Sequence, residues 1–245
     1  MPIATALALT LLFTSGGVVF AADPPTGSAL LERSIRYHDA EGIWGRLPLE
    51  LHLEESRPDG GLRKTVIAID PNRELFSWAS ERDGRAVAGR LLGADCETTL
   101  DGSREFSAED AETYRLSCER IAWMRDYYTY LWGLPMKLRD PGTRLDDGVT
   151  ETDFMKRKAL ALRVTYDEGV GGDTWYFYFD SESAALLGYR FYHDESVNDG
   201  EYITTESVFA FGSMRLPNHR AWYTNDGAEY LGTDNLVSVQ SVPRD

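Results

Sequence analysis

Residues 174–180 read Thr-Trp-Tyr-Phe-Tyr-Phe-Asp, with an unbroken aromatic run between the two ends. Aromatic residues favour β-strands, and successive side chains of a strand point to opposite faces. The tryptophan and both phenylalanines therefore share one face, while Tyr176 and Tyr178 share the other. A strand that is apolar on both faces is covered on both sides or lines a cavity. The tyrosine face is a candidate border of a ligand pocket, because tyrosine combines an apolar ring with a polar tip.

Further strand-like segments lie on both sides of this stretch. They are separated by turn residues such as Asp83-Gly84 and Asn198-Asp199-Gly200, which are typical of hairpins and tight turns. Connections this short favour antiparallel neighbours, because parallel neighbours need crossovers of a dozen residues or more. The predicted strands are residues 47–55, 62–69, 74–80, 85–92, 158–166, 174–180, 185–193, 201–215 and 220–224.

Helical periodicity is confined to a few segments. Residues 28–37 follow a capping sequence, and a short helix is predicted to begin near Ser107. Residues 119–132 place five apolar side chains on one helical face, namely Ile121, Met124, Tyr128, Leu131 and Trp132. The sequence therefore predicts a mainly β (α+β) fold, in which one large antiparallel sheet is covered by two or three helices. We expect residues 22–245 to form a single domain.

The charge balance excludes some classes of partner. The chain of 245 residues carries 25 basic and 40 acidic side chains, for a formal charge of −15. Binding to nucleic acid depends on basic side chains that displace counterions from phosphates, so we expect no nucleic-acid partner. An anionic membrane surface is disfavoured for the same reason. The 12% aromatic content argues against a disordered chain.

The first residues resemble an export signal. An uncharged apolar core is followed by Ser15-Gly16-Gly17 and by small residues at the end of the segment. This layout predicts a secretory signal peptide over residues 1–21, with cleavage after Ala21, and an uncleaved membrane anchor is the alternative. No later apolar run approaches the ~20 residues of a spanning helix, so we expect no transmembrane segment in the mature chain. The protein is therefore expected in the periplasm or the extracellular medium.

Export determines how the two cysteines are interpreted. An oxidising compartment permits a disulfide between Cys96 and Cys118. Two unpaired buried thiols are the alternative. No spacing of cysteine and histidine typical of a zinc site occurs in the sequence.

Five segments of the chain resemble a domain-of-unknown-function family of exported bacterial proteins. That family is similar in build to the Lol lipoprotein carriers. The resemblance implies a LolA/LolB-like curved sheet, an incomplete barrel closed by helices around an apolar cavity, and it implies no established activity. The segments are residues 36–39, 133–143, 172–180, 188–195 and 231–234.

These observations predict a non-catalytic module that binds a hydrophobic or amphipathic ligand, such as a lipid or the acyl chain of a lipoprotein. A cavity between sheet and helices would hold the ligand by apolar burial, and a few polar groups would orient it. We expect no cofactor and no bound metal. The predicted ligand-binding residues are Trp44, Met136, Trp175, Tyr178, Arg190, Tyr192 and Trp222.

Two other functions are left open by the sequence. The polar cluster His38, Asp39, His193 and Asp194 would suit an envelope hydrolase or a metal-dependent enzyme if the fold brought both histidines together. Neighbouring strand residues point to opposite faces, however, and the sequence favours a structural hydrogen bond for each histidine. The third possibility is a structural or interaction protein of the cell envelope, with an exposed apolar patch.

Residues 134–142 mix apolar and charged side chains between two prolines, Pro135 and Pro141. Proline restricts the backbone at both ends of the segment. The segment is either a lid over the sheet, with Met136 as an adaptable contact, or a connector in which Arg139 pairs with a carboxylate.

Overall fold

The computed structural model describes residues 25–242. The signal peptide expected at residues 1–21 lies outside these described residues. Within them the chain forms three α-helices and twelve β-strands. In chain order they are α1 (Gly27–Asp39), β1 (Leu49–Ser56), β2 (Leu62–Asp70), β3 (Leu75–Arg82), β4 (Arg85–Leu92), β5 (Asp95–Leu100), α2 (Ala108–Tyr114), α3 (Cys118–Trp132), β6 (Thr143–Phe154), β7 (Arg157–Tyr166), β8 (Thr174–Asp180), β9 (Leu186–Tyr192), β10 (Glu201–Phe211), β11 (Met214–Thr224) and β12 (Tyr230–Ser241).

All twelve strands belong to one curved, open antiparallel sheet, in the order β5-β4-β3-β2-β1-β12-β11-β10-β9-β8-β7-β6. Two meanders, β1 to β5 and β6 to β12, are joined where β1 pairs with β12. The edges are therefore β5 and β6, and α2 and α3 lie between these two strands in the sequence. The expected fold class is confirmed.

Alternation of apolar and polar residues explains why the strands form and which face they bury. In β1, Leu49, Leu51 and Leu53 are buried, whereas Glu50 and Glu54 are only partly covered on the other face. Burial of one face fixes the pairing register, because a slip of one residue would move every leucine into water. The buried face of the sheet is concave and packs against the helices.

Capping residues set where the helices begin. The side chain of Thr26 accepts a hydrogen bond from the backbone N–H of Ala29 at the start of α1, and Ser117 does the same for Arg120 at the start of α3. Such caps satisfy N–H groups that have no partner within the helix. The buried face of α3 consists of the five side chains predicted from its periodicity.

Two apolar cores lie on the concave face. The first lies between α3 and strands β1 to β5, with Leu51, Ile67 and Phe76 at its centre. The second lies between α1 and strands β7 to β10, with Phe177 and Tyr189 at its centre. Partly buried Tyr127 and Met136 contact both cores. The hydrophobic surface of α3 therefore spans the junction of the two meanders.

Cys96 and Cys118 form a disulfide, with their Cα atoms 6.0 Å apart. The bond joins edge strand β5 to the first residue of α3. Closing a loop of 22 residues stabilises the fold by about 3 kcal/mol in the chain-entropy description. The prediction of a disulfide is confirmed.

The strand predicted over residues 201–215 is wrong in its extent. The chain turns at Gly212-Ser213 and divides into β10 and β11; Gly212 has a φ of +57°, which glycine adopts without a steric penalty. Strands β5, β6 and β12 are absent from the strands predicted from the sequence. The acidic edge strand β6 lacks a clear apolar alternation, because it carries partly exposed Asp146 and exposed Asp147 and Glu151.

Candidate ligand-binding groove

A groove of about 600 Å³ lies between α3 and the ends of the C-terminal strands. Its volume falls in the range of sites for small molecules and cofactors, roughly 300–1,000 Å³. Three side chains of α3 that form its helical wall, Trp123, Tyr127 and Tyr130, face three rings from the sheet, Trp175, Phe191 and Trp222. Leu131 and Leu231 complete the apolar lining. The concave face is therefore open and aromatic at this end.

The helical wall is a second aromatic stripe on α3. Trp123, Tyr127 and Tyr130 follow one another at spacings of four and three residues, which places them on one side of the helix. Trp123 and Tyr127 stack with their ring centres 5.0 Å apart. Trp123 is 50% exposed, so a bound ligand would remove a large apolar surface from water there.

The sheet wall follows from strand register. Trp175 on β8 is the direct neighbour of Phe191 on β9, and their ring centres are 4.8 Å apart. Tyr130 of α3 approaches Trp175 edge to face, at 5.6 Å. This contact marks the place where the two walls meet. A second hollow of about 390 Å³ continues from it towards Tyr166 and Val170.

Polar groups occupy the two ends of the groove. Arg57 lies at the end that follows β1, and Asp173, His193 and Glu201 lie at the other end. His193 Nδ1 is 2.7 Å from a carboxylate oxygen of Asp173, and this hydrogen bond raises the pKa of His193. Partial burial raises the pKa of Glu201. The groove thus combines an apolar middle with ionisable ends, as an amphipathic ligand requires.

A row of four buried or partly buried charges crosses the sheet beneath α3. Register places Arg220 of β11 beside Asp234 of β12, Asp234 beside Glu55 of β1, and Glu55 beside Arg63 of β2. Neighbouring strands lie about 4.8 Å apart. The signs therefore run plus, minus, minus, plus, with two carboxylates adjacent at the centre.

The two central carboxylates are held very differently. Glu55 accepts two hydrogen bonds from Arg63, one from Thr65 and one from Tyr128. Burial alone would raise the pKa of Glu55, but these donors lower it. Asp234 accepts only one hydrogen bond from the described residues, from the indole N–H of Trp222 at 2.8 Å. Burial, and then the charge of Glu55, raise the pKa of Asp234 to about 6.

Arg220 connects the row to the helical wall. Its guanidinium is 1% exposed, donates a hydrogen bond to the carbonyl oxygen of Leu131, and lies 3.7 Å from the ring centre of Trp132. Because Trp222 and Leu131 both line the groove, the buried charges fix parts of its floor and its wall.

The profile of DUF6503, a family of unknown function, matches residues 12–239. The chain belongs to this family. A search of curated proteins finds no match. The match to the family profile confirms the family resemblance seen in the sequence.

Solved structures show the fold of this DUF6503 protein to be LolA-like. It is similar to a LolA-superfamily protein from Nitrosomonas europaea, with 9% identity, a TM-score of 0.52, and coverage of 91% of this chain and 96% of the other. It is also similar to a domain from Vibrio parahaemolyticus that is named for outer membrane lipoprotein sorting, with 12% identity, a TM-score of 0.50, and coverage of 88% and 92%. Identities this low establish the fold alone.

Two of the seven predicted ligand-binding residues, Trp175 and Trp222, line the groove. The other five do not reach it. Trp44 is buried in the first core and Met136 packs between the two cores. Ligand binding by any of the seven residues stays a prediction.

The remaining three predicted residues lie on the convex face of the sheet. Tyr178 stacks on Phe154 with ring centres 4.2 Å apart, and Arg190 donates a hydrogen bond to the hydroxyl of Tyr192. The tyrosine face of β8 therefore lies away from the groove, which is on the tryptophan face. Tyr178 and Trp175 are three residues apart, so the alternation of side chains along a strand places them on opposite faces.

The sequence reading missed Trp123, Tyr127, Tyr130 and Phe191. The first three were detectable as a second stripe beside the buried face of α3, at positions 123, 127 and 130. Phe191 becomes significant only through its register with Trp175, which the sequence does not specify.

The fold separates the two histidines of the predicted polar cluster. His38 is fully buried, lies 2.5 Å from the carbonyl oxygen of Arg215 through Nδ1, and accepts a hydrogen bond at Nε2 from the N–H of Leu186. Leu186 begins β9, and His193 follows its last residue. A strand of this length holds the two imidazoles about 20 Å apart. The expectation of one site that uses both histidines is therefore wrong.

Each member of the cluster has a separate structural partner. Burial lowers the pKa of His38 to about 4. Asp39 accepts hydrogen bonds from the N–H groups of Ile43 and Trp44, and Asp194 accepts one from the N–H of Ser196. Residues 25–242 contain no group of three or more His, Cys, Asp or Glu side chains arranged to hold a metal ion.

Residues 134–142 form a connector. Leu134 and Leu138 are buried in the second core, and Arg139 makes a salt bridge with Glu32 of α1. A segment anchored this way cannot open as a lid without exposing two leucines. Among the described helices, none combines the length and apolar character that spanning a bilayer requires.

Proposed function

We propose that this protein is an exported, non-catalytic module that binds the apolar chain of a lipid or a lipid-modified protein in the aromatic groove. The observation that carries the proposal is the groove itself. Six aromatic rings from α3 and the sheet line a space of about 600 Å³ that opens to solvent on the concave face of a LolA-like sheet.

Apolar burial would supply the affinity. Each methylene group transferred from water into an apolar site contributes about 0.8 kcal/mol. A long acyl chain therefore gains several kcal/mol before any polar contact is made, and exposed rings such as Trp123 gain further burial. A small ion would gain nothing from this lining.

Another large surface hollow, of about 530 Å³, does not suit such a ligand. It lies along edge strands β4 and β5 and is lined mainly by charged and polar side chains, including Arg90, Asp95, Glu97 and Arg104. Arg104 and Glu97 already pair with each other. An acyl chain would desolvate these groups without compensation.

Export is the second part of the proposal. The disulfide between Cys96 and Cys118 favours an oxidising compartment, and the apolar N-terminal segment supports secretion. The test is mass spectrometry of the N-terminus of the protein after expression in a bacterium. A mature protein that starts at Ala22 is expected, and an intact Met1 in a cytoplasmic fraction would contradict export.

Lipid binding is tested on the purified protein in two steps. An organic extract is first analysed by mass spectrometry for acyl lipids, and the delipidated protein is then titrated with the fluorescent fatty acid cis-parinaric acid. Trp175→Gln removes a ring from the groove, whereas Tyr176→Gln removes the adjacent ring on the convex face. We expect the first variant to weaken fatty-acid binding by about tenfold or more, because burial of a large side chain contributes about 1.5–3 kcal/mol.

The matched control keeps its fatty-acid affinity, since Tyr176 faces away from the groove. Equal loss in both variants would point to a general change in the sheet and would contradict the site. Absence of binding to the wild-type protein would reject the function itself.

A further inference from the structure

Four arginines surround a small pocket beside the first half of α3. The guanidinium groups of Arg63, Arg82, Arg115 and Arg120 come from β2, β3, the α2–α3 connection and α3. This concentration of positive charge is unexpected in a chain with a formal charge of −15. Strand alternation directs the neighbouring acidic residue Glu81 to the opposite face of β3.

Three of these arginines have no acidic partner in the part of the chain that the structure describes. Arg63 is paired with Glu55, and nearby Arg85 is paired with Asp101. Within residues 25–242, however, no carboxylate lies within 4.0 Å of the guanidinium groups of Arg82, Arg115 or Arg120. Partial burial, and then the charge of Arg115, lower the pKa of Arg120. The cluster is therefore electrostatically unfavourable as it stands.

Buried hydrogen-bond donors without partners lie in the same place. The indole N–H of Trp78, which lines the pocket and is only 6% exposed, lies near the hydroxyl of Tyr128 but forms no well-aligned hydrogen bond within residues 25–242, and Nε of Arg120 has no acceptor there. An unpaired buried donor costs about 1–3 kcal/mol. An acceptor that enters the pocket would satisfy these donors and reduce the repulsion between the guanidinium groups.

The geometry points to a phosphate group as the ligand. One guanidinium is sufficient for a carboxylate, which offers two oxygens and one charge. Several converging guanidinium groups match a tetrahedral dianion, whose oxygens present more than one edge for bidentate contacts. The pocket holds only about 30 Å³, which suits one small group. A long polyanion would also meet the negative field of the rest of the protein.

We propose that Arg82, Arg115 and Arg120, with the indole N–H of Trp78, form a binding site for a phosphoryl group. The site is separate from the aromatic groove and does not depend on the proposed function. The two are adjacent, because the guanidinium of Arg120 lies 4.1 Å from the ring centre of Trp123, which lines the groove. The phosphoryl group belongs either to a free phosphate or to the head group of a lipid.

Calorimetric titration of the purified protein with inorganic phosphate tests the site, at constant ionic strength set with chloride. The double variant R82Q/R115Q removes two exposed arginines of the cluster. The control R125Q/R144Q removes the same charge from two exposed arginines that already pair with Asp126 and Asp167. We expect about a hundredfold loss of affinity in the first variant and little change in the second, because each charged hydrogen bond contributes roughly a factor of ten.

A second titration uses dihexanoyl phosphatidic acid below its micelle concentration and distinguishes the two sources. Equal affinity for both probes would show that the site binds the phosphate group alone and that the acyl chains add nothing. Much tighter binding of the lipid, reduced by both R82Q/R115Q and Trp175→Gln, identifies a lipid head group. If neither probe binds the wild-type protein, or if R82Q/R115Q binds them as tightly as the control, the site is disproved. Phosphate binding that persists in Trp175→Gln separates this result from any failure of the groove.

Discussion

The two halves of the concave face contain similar aromatic side chains, but in one half these side chains form a closed core and in the other they line an open groove. Between α3 and strands β1 to β5, Trp78, Phe76 and Tyr128 are buried in a closed core. Between α3 and the C-terminal strands, Trp123 and Trp175 line an open groove. The difference lies in the space between helix and sheet. Side chains fill this space over strands β1 to β5, whereas the space stays open beside the C-terminal strands. Aromatic content alone therefore does not distinguish a core from a binding site.

The buried carboxylates repeat this contrast. Glu55, on the closed side, has four hydrogen bonds from three residues. Its neighbour Asp234, on the side of the groove, has one hydrogen bond and one unpaired oxygen among residues 25–242. In the closed half the buried carboxylate is fully hydrogen-bonded, which stabilises the fold. In the groove half the buried carboxylate has fewer hydrogen bonds than it can accept.

The largest expected effect comes from breaking the closed half. In the variant Glu55→Gln, Arg63 loses its charged partner, and the unfolding free energy is expected to fall by about 3 kcal/mol, the lower end of the range for broken buried ion pairs, because about a third of the Arg63 side chain stays in water. The control Glu54→Gln changes the next residue, which lies on the exposed face with Lys64, and should change stability by less than about 0.5 kcal/mol. Urea denaturation measures both. Similar losses in the two variants would show that the Glu55 network is not special.

A smaller effect, in which the ionised carboxylate destabilises the fold, is expected at Asp234. Its pKa is raised from the ordinary value of 3.8 to about 6 in the folded protein, so the folded state holds the proton more tightly than the unfolded state. Its contribution to stability is therefore complete below about pH 4 and is lost as the pH rises through 6. The loss is on the order of 2–3 kcal/mol.

The measurement is the difference in unfolding free energy between the wild-type protein and Asp234→Asn at several pH values. Taking the difference removes the contributions of other groups, including His38, whose lowered pKa acts in the opposite direction over the same range. The wild-type protein should lose stability relative to the variant between pH 4 and 6. A difference that stays constant with pH would contradict the raised pKa of Asp234 in the folded protein.

The sequence predicts the closed half better than the groove, for a physical reason. Alternating leucines in β1 and the apolar face of α3 are local patterns, and each determines one buried surface by itself. The groove arises from pairs on different strands, such as Trp175 with Phe191, and from the space between helix and sheet. Strand register and the width of that space depend on the whole fold, so the sequence predicts only Trp175 and Trp222 among the rings of the groove.

The acidic strand β6 is also difficult to predict from the sequence, for a different reason. An edge strand has only one neighbour in the sheet, and charges there oppose pairing with other chains. Its sequence therefore lacks the apolar alternation that reveals β1. The row of charges from Arg220 to Arg63 is likewise invisible in the sequence, because its members lie on four strands from both ends of the chain.

The smallest effect on stability, and the sharpest separation of the two halves, is expected at Trp123. Replacing this half-exposed ring by alanine removes a stacking contact with Tyr127 and a cation–π contact with Arg120, which together amount to about 1–2 kcal/mol. The matched change Trp78→Ala in the closed half should cost about 3–5 kcal/mol, because it leaves a cavity. Binding of cis-parinaric acid should follow the reverse order, weakened by Trp123→Ala and retained by the folded fraction of Trp78→Ala. If Trp123→Ala destabilised the protein as strongly as Trp78→Ala, its ring would serve the core, and the division between a closed half and a binding half would be wrong.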